Sequence, residues 1–293
     1  MINDNKGLAP AKVRWMQRFF AVAGNIAPRS MVNILVKLLF TPRRRSIKPT
    51  QAECLAKAEK FHLVVKEFWK PEGKVRLSCY RWGKSDKKIL LVHGWEATSM
   101  DFFKMIPVLV DNGYEVIAFD GPAHGNSQGE RTHLVDFKEV TLQVIEQIGV
   151  PYAIIGHSLG GAAVVFMLME HDVHIEKLVA IAIPTVSKRF FEMAFEYMKV
   201  PVKMQVAFFD QMDKQFGERL EKYNMIERND PIKADKILLV YDEFDKIMNV
   251  KDTLDFLARH PEVQHLNVKK AGHYSIIRNK EVIEAIRGFL IDK

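Results

Sequence analysis

Three polar residues far apart in the chain have the types and settings that nucleophilic catalysis needs: Ser158, His273 and one of the pair Asp242 and Asp245. A serine hydroxyl is a poor nucleophile until a base takes its proton, and the base works only when a third group orients it. Ser158 lies in Gly156-His157-Ser158-Leu159-Gly160-Gly161, after the apolar run Tyr152-Ala153-Ile154-Ile155 and before the apolar stretch Ala162–Met169. The run is too short for a helix and reads as a buried strand, whereas the stretch reads as a helix. A serine at such a junction can sit on a sharp strand-to-helix turn with its hydroxyl outward. Glycine two positions to either side lets the crowded backbones pass. His273 follows Gly272 on the segment leaving the run Val263–Val268, so its imidazole can approach a neighbour closely. The acid should leave the preceding strand, Lys236–Tyr241, which is followed by Asp242-Glu243-Phe244-Asp245. Asp242 is expected to stay with the strand end. Asp245 can turn toward the histidine and is the favoured orienting acid.

The other histidines carry less. His93, His124 and His157 sit inside glycine-containing loops and read as structural hydrogen-bonding residues. His171 and His174 have no further ligand cluster around them, so no metal site is expected, and no residue pattern calls for a cofactor.

The elements that must hold these residues follow one rhythm. Phe61–Trp69 and Lys74–Trp82 alternate with period two around Pro71-Glu72-Gly73 and predict an antiparallel hairpin. Beyond it, strand, loop and helix repeat: strands at Lys88–His93, Tyr114–Asp120, Tyr152–Ile155, Lys177–Ile183, Lys236–Tyr241 and Val263–Val268, with helices at Ser99–Val110, Thr132–Ile148 and roughly 250–259 and 279–291. Apolar strands alternating with helices mean a mostly parallel sheet covered on both faces.

Two stretches break the rhythm. Residues 185–232 show helical periodicity without a strand and are dense in aromatics and methionine, among them Phe190, Phe191, Phe195 and Met212. Placed after a strand end, this insertion is expected over the carboxyl edge of the sheet as a lid, where those four side chains could line an apolar substrate site. Residues 1–60 form a basic helical extension. A helix over 11–23 carries Trp15, Phe19 and Phe20 on one stripe, and a second over 30–40 ends at Thr41-Pro42, before Arg43-Arg44-Arg45. Gln51–Lys60 reads as a linker helix. The hairpin of helices over 11–48 either packs on the main domain, the favoured expectation, or makes peripheral contact with anionic lipid.

Composition sets bounds. The net charge of +7 over 293 residues is misleading taken whole, because residues 1–50 hold ten basic residues and one acid, leaving 33 basic and 35 acidic in the remainder. The body is nearly neutral, so no nucleic-acid partner is expected. No apolar run reaches the ~18 residues of a spanning helix. The apolar part of the leader is too meagre for a secretory signal. Two cysteines, Cys54 and Cys79, give no disulfide framework and suggest a reducing, cytoplasmic setting.

Four stretches together resemble the α/β-hydrolase-fold serine hydrolases of the esterase and lipase kind over about residues 61–293: His93-Gly94-Trp95, the turn Asp120–Ser127, the Gly156–Gly161 elbow, and the pair Tyr241–Ile247 with Ala271–Ser275. The resemblance implies an eight-stranded sheet whose second strand is antiparallel, and an inserted cap at 185–232. It also implies an oxyanion hole made by the backbone N–H groups of Trp95 and Leu159. The chain departs from its relatives at Asp242, where glycine is usual, and at Met248-Asn249, where a proline is usual. The expected activity is cleavage of a carboxylic ester with an apolar acyl or alcohol group, with thioester, lactone or C–C hydrolysis as the alternative chemistry. A non-catalytic scaffold that kept the fold is the alternative of another class.

Overall fold

The computed structural model describes residues 11–69, 73–217 and 219–292. In chain order the elements are α1 (Ala11–Ile26), α2 (Pro28–Phe40), α3 (Pro49–Ala56), β1 (Glu59–Lys66), β2 (Lys74–Trp82), β3 (Lys88–Val92), α4 (Met105–Asp111), β4 (Glu115–Phe119), α5 (Leu134–Ile148), β5 (Ala153–His157), α6 (Leu159–Glu170), β6 (Ile175–Ile181), α7 (Ser187–Met198), α8 (Val202–Phe216), β7 (Ala234–Asp242), α9 (Val250–Arg259), β8 (Gln264–Val268) and α10 (Lys280–Ile291).

The strands make one eight-stranded sheet in the order β1-β2-β4-β3-β5-β6-β7-β8. β2 runs antiparallel to both its neighbours and every other pairing is parallel. Burial follows position. Every residue of β4 and β5 is buried, as parallel strands covered on both faces require, whereas the edge strand β1 buries only Val65 fully. α6 is buried from Gly160 to Met169, so the helix that follows the serine lies inside the protein. That explains why its sequence is apolar on every side.

The structure adjusts two expected elements. The linker helix stops at Ala56, because Glu59 and Lys60 already pair with Arg81 and Tyr80 as the start of β1. The expected helix over Ser99–Val110 is split into a 3-10 turn, Ser99–Phe102, and α4. Pro107 lacks the N–H that a continuous helix would bond to the Phe103 carbonyl, and it is tolerated because it falls in the first turn of a new helix. Of the expected hairpin turn, Pro71 and Glu72 lie outside the described residues.

The chain divides into two compact units. One holds the described residues up to Leu39 together with 186–224, and the other holds 40–185 and 225–293. In the first, α1 packs on α7 and α8, so the basic leader and the insertion share one core. Gln17 Nε2 donates to the Tyr197 carbonyl at 2.6 Å and Gln211 Nε2 to Asn33 Oδ1 at 2.9 Å. Gly24 lets the helices approach closely at the crossing, where a Cβ would come within 2.9 Å of Met204 Sδ. The rings of Phe191 and Phe195 meet those of Phe208 and Phe209 tilted or edge-on, and Phe195, Phe208 and Met212 are fully buried. Of the four insertion residues expected at a substrate site, Phe191, Phe195 and Met212 therefore belong to the core of this unit, and Phe190 is exposed. Among the leader's apolar residues Phe20 and Leu35 are buried, while Trp15, Ile34 and Leu38 face solvent. No helix among the described residues is long and apolar enough to cross a membrane.

Candidate active site

Ser158 stands between β5 and α6 with φ 52° and ψ −124°. A non-glycine residue held there stores about 1–3 kcal/mol of backbone strain, which the surroundings must over-determine. They do. The Ser158 N–H donates to the Ile181 carbonyl at 2.9 Å, and its own carbonyl accepts from Ala162 N–H at 2.9 Å. The neighbouring glycines have no room for a side chain: a Cβ on Gly160 would lie 2.2 Å from the His93 carbonyl oxygen, and one on Gly156 would lie 2.4 Å from Gly161 Cα. Gly160→Ala is therefore expected to cost more than about 4 kcal/mol or to prevent folding, because rigid backbone must move. Gly288→Ala, in α10 with nothing within 4 Å, is expected to stabilise by about 0.5–1 kcal/mol. Thermal unfolding of the two variants checks both signs.

The fold brings the three distant polar groups together. His273 Nε2 is 3.0 Å from Ser158 Oγ, and His273 Nδ1 is 2.8 Å from Asp245 Oδ2. With Nδ1–H donating to the carboxylate, Nε2 is left as an acceptor for the serine proton. Burial raises the Asp245 carboxyl, but the hydrogen bond and charge of His273, with the N–H groups of Ile247 and Met248, outweigh it and hold the carboxyl below its usual 3.8. Those two N–H groups donate to Asp245 Oδ1 at 2.7 and 3.0 Å, so each carboxylate oxygen has its own partners. All three side chains are buried. Such an arrangement can take a proton from a hydroxyl and return it to a leaving group.

Asp242 does not reach the histidine; it builds the loop that carries it. Its Oδ1 accepts from Phe244 N–H at 2.9 Å and Lys270 N–H at 3.1 Å, and Oδ2 accepts from Gly272 N–H at 2.8 Å. Lys270 and Gly272 both have positive φ, a contorted path that a buried carboxylate can hold. Sequence reasoning left this function unassigned, although an aspartate in the place of the usual glycine was the signal. His157 has the structural hydrogen-bonding role its sequence setting suggested. Burial first, then the neighbouring His273 charge, pushes its imidazole down to about 3, so it stays neutral. Its Nε2–H donates to the His273 carbonyl at 2.9 Å, tying the base loop to the elbow.

The loop His93-Gly94-Trp95 runs beside the serine: a Cβ on Gly94 would lie 2.9 Å from Ser158 Cβ. Leu159 is the first residue of α6, so its N–H belongs to the donors a helix leaves without intrahelical partners. His93 and His124 hold the loops around it. Burial, then the His93 charge, lowers His124 well below 6.5, and burial lowers His93 as well. Neutral His124 donates from Nδ1 to the Pro122 carbonyl at 2.9 Å and accepts Glu96 N–H on Nε2 at 3.0 Å. Neutral His93 donates from Nδ1 to the Gly94 carbonyl and accepts Gly121 N–H on Nε2 at 2.9 Å. Among the described residues no group of three or more His, Cys, Asp or Glu is placed to hold a metal ion. His171 pairs with Glu139 and His174 with Asp235.

A sequence model of the alpha/beta hydrolase fold family matches residues 87–218. The uncharacterized hydrolase YugF of Bacillus subtilis is 34% identical over 77 residues, which is 25% of this chain and 28% of that protein. Human monoglyceride lipase is 28% identical over 124 residues, covering 39% of this chain and 37% of that one. The matched region thus spans about a third of the length of these curated relatives. Among solved structures, the esterase Pf2001 of Pyrococcus furiosus superposes with a TM-score of 0.62 at 21% identity, covering 85% of this chain and 98% of that one. The thioesterase domain from the curacin biosynthetic pathway gives 0.56 at 15% identity, over 80% of this chain and all of that domain. Strand order, the serine elbow and the family match agree, and this chain has the α/β-hydrolase fold.

Proposed function

We propose that the protein is a serine hydrolase of carboxylic esters that have an apolar acyl or alcohol portion. The observation that carries this reading is the relay of 3.0 and 2.8 Å linking Ser158, His273 and Asp245 at a strained elbow. In the proposed reaction Ser158 Oγ attacks the ester carbonyl carbon while its proton passes to His273 Nε2. The carbonyl oxygen becomes an oxyanion facing the N–H groups of Trp95 and Leu159, each donor contributing about 3 kcal/mol to the transition state. Collapse breaks the ester C–O bond, and His273 returns the proton to the departing alcohol. Water, deprotonated by the same imidazole, then attacks the acyl carbon; the bond to Ser158 Oγ breaks, His273 returns the proton to that oxygen, and the acid leaves. Asp245 keeps the imidazole in the right tautomer and stabilises its charged form. The similarity to a monoglyceride lipase supports an apolar substrate.

A fluorophosphonate probe tests the chemistry directly. The expected result is a single adduct that maps to the peptide holding Ser158; a folded protein that takes no label, or takes it elsewhere, refutes the reading. A series of p-nitrophenyl esters tests the substrate class. Acyl chains of about four to ten carbons should outperform acetate, each buried methylene adding about 0.8 kcal/mol until the site is full. Preference for acetate would remove the apolar part of the proposal and leave the mechanism.

A further inference from the structure

The three consecutive arginines after α2 are exposed, yet the guanidinium of the middle one is tied to a cluster of backbone carbonyls. Residues 41–48 form an irregular segment fixed at both ends to the sheet-bearing unit. Thr132 N–H donates to the Phe40 carbonyl at 2.9 Å, and Gln51 Nε2 donates to the Met100 carbonyl at 3.0 Å. From this segment the Arg44 guanidinium enters the turn after β4. Nη1 donates to the carbonyls of Gly125 and Ser127 at 2.7 Å each and more weakly to that of His124 at 3.4 Å, and Nη2 donates to that of Gly129 at 3.0 Å. The turn makes this possible through positive φ at Ala123, Gly125 and Gly129. Carbonyl oxygens gathered at one point repel one another unless a cation sits at the focus, and a planar fork of donors suits several at once.

We propose that Arg44 is a positioning residue for the oxyanion hole. This rests on the serine-hydrolase reading, and on Trp95 N–H as one of the two donors. Arg44 locks the turn that carries His124; His124 Nε2 accepts Glu96 N–H; and Glu96, at φ 50°, directly follows Trp95. The same segment grips the loop a second time, since Arg43 N–H donates to Glu96 Oε1 at 3.2 Å. It also reaches the base loop, where the Arg45 guanidinium lies 5.6 Å from the ring centroid of Tyr274, the residue after His273. One strap thus touches three of the loops around Ser158. An oxyanion donor acts only when aimed at the developing charge, and its outright removal costs about 10²–10³-fold in kcat. Loosening it should cost less.

The test compares full-length wild type, Arg44→Met and Arg44→Lys, with rates normalised to the sites that a fluorophosphonate titrates. For Arg44→Met the expected result is a kcat lower by about 10- to 100-fold with KM changed less than about threefold. Affinity for a trifluoromethyl ketone, which forms the tetrahedral adduct, should fall in proportion to kcat/KM. Lysine keeps the charge but not the fork, so Arg44→Lys should lie between, at least about threefold below wild type. If Arg44→Met does not fold, the lysine variant decides. A purely structural role would lower the fraction of titratable sites and leave kcat per site unchanged, and that outcome overturns the proposal. Hydrogen exchange separates this failure from failure of the enzyme reading. In either variant the amides of Glu96, Ala123 and Ser127 should exchange at least about tenfold faster. Unchanged exchange there overturns the strap even if no ester is ever hydrolysed. Faster exchange in a protein that takes no fluorophosphonate keeps the strap and removes the hydrolase.

Discussion

Replacing Ser158 with alanine is expected to leave a folded protein whose ester turnover is lower by about 10³-fold or more. The loss should be large because, in the proposed mechanism, the hydroxyl is the only group of the relay that forms the covalent bond and His273 and Asp245 act through it. Binding and the proposed oxyanion donors would survive in such a variant, so some residual rate above the uncatalysed reaction is expected. The same position offers a control that kinetics alone cannot give. At φ 52° alanine carries the same backbone strain as serine, whereas glycine adopts this conformation freely. Ser158→Gly should therefore be as inactive as Ser158→Ala but more resistant to heat, by about 1 kcal/mol or more. Near-normal turnover in the alanine variant would sink the serine mechanism. Equal stability of the two variants would mean that the elbow is not strained.

How far the sequence could be read depended on whether the information was local. The run Tyr152–Ile155 and its glycine-flanked serine carry strand, turn and helix signals within a dozen residues, and β5, the elbow and α6 form there. His273 was legible for a similar reason, since Gly272 precedes it on the exit from β8. The strand order has β4 between β2 and β3, and β3 beside β5. That order was not legible, because alternation of strands and helices gives a parallel sheet but no neighbours, and the resemblance supplied only the strand number and the antiparallel second strand. Least legible were the long-range hydrogen bonds. Nothing near Arg44 announces the carbonyls some eighty residues away, and nothing near His157 announces the His273 carbonyl. The insertion misled in a different way. Phe191, Phe195 and Met212 have the composition of a binding site, but three helices that must bury a face of their own use such residues as a core first.

The two aspartates at the end of β7 give the second large expected effect, and the structure separates them by how their oxygens are shared. Asp245 Oδ1 accepts two backbone N–H groups, from Ile247 and Met248, while Oδ2 accepts Nδ1–H of His273. In Asp245→Asn the amide oxygen must stay with the two N–H donors, which turns the NH2 toward the imidazole. Nδ1 then has to accept, the proton moves to Nε2, and Nε2 can no longer take the serine proton. A loss of about 10³- to 10⁴-fold in kcat is expected, with little change in melting temperature. In Asp242→Asn the amide oxygen satisfies Phe244 and Lys270, and the NH2 faces Gly272 N–H, donor against donor. That leaves a buried group unpaired, so a stability loss of about 1–3 kcal/mol is expected. Because the loop is loosened while the tautomer is kept, kcat should fall by only about tenfold. Measuring kcat and thermal unfolding for both variants gives a crossed pattern, activity lost in one and stability in the other. A greater kcat loss in Asp242→Asn than in Asp245→Asn would overturn Asp245 as the orienting acid while leaving Ser158 and His273 in place.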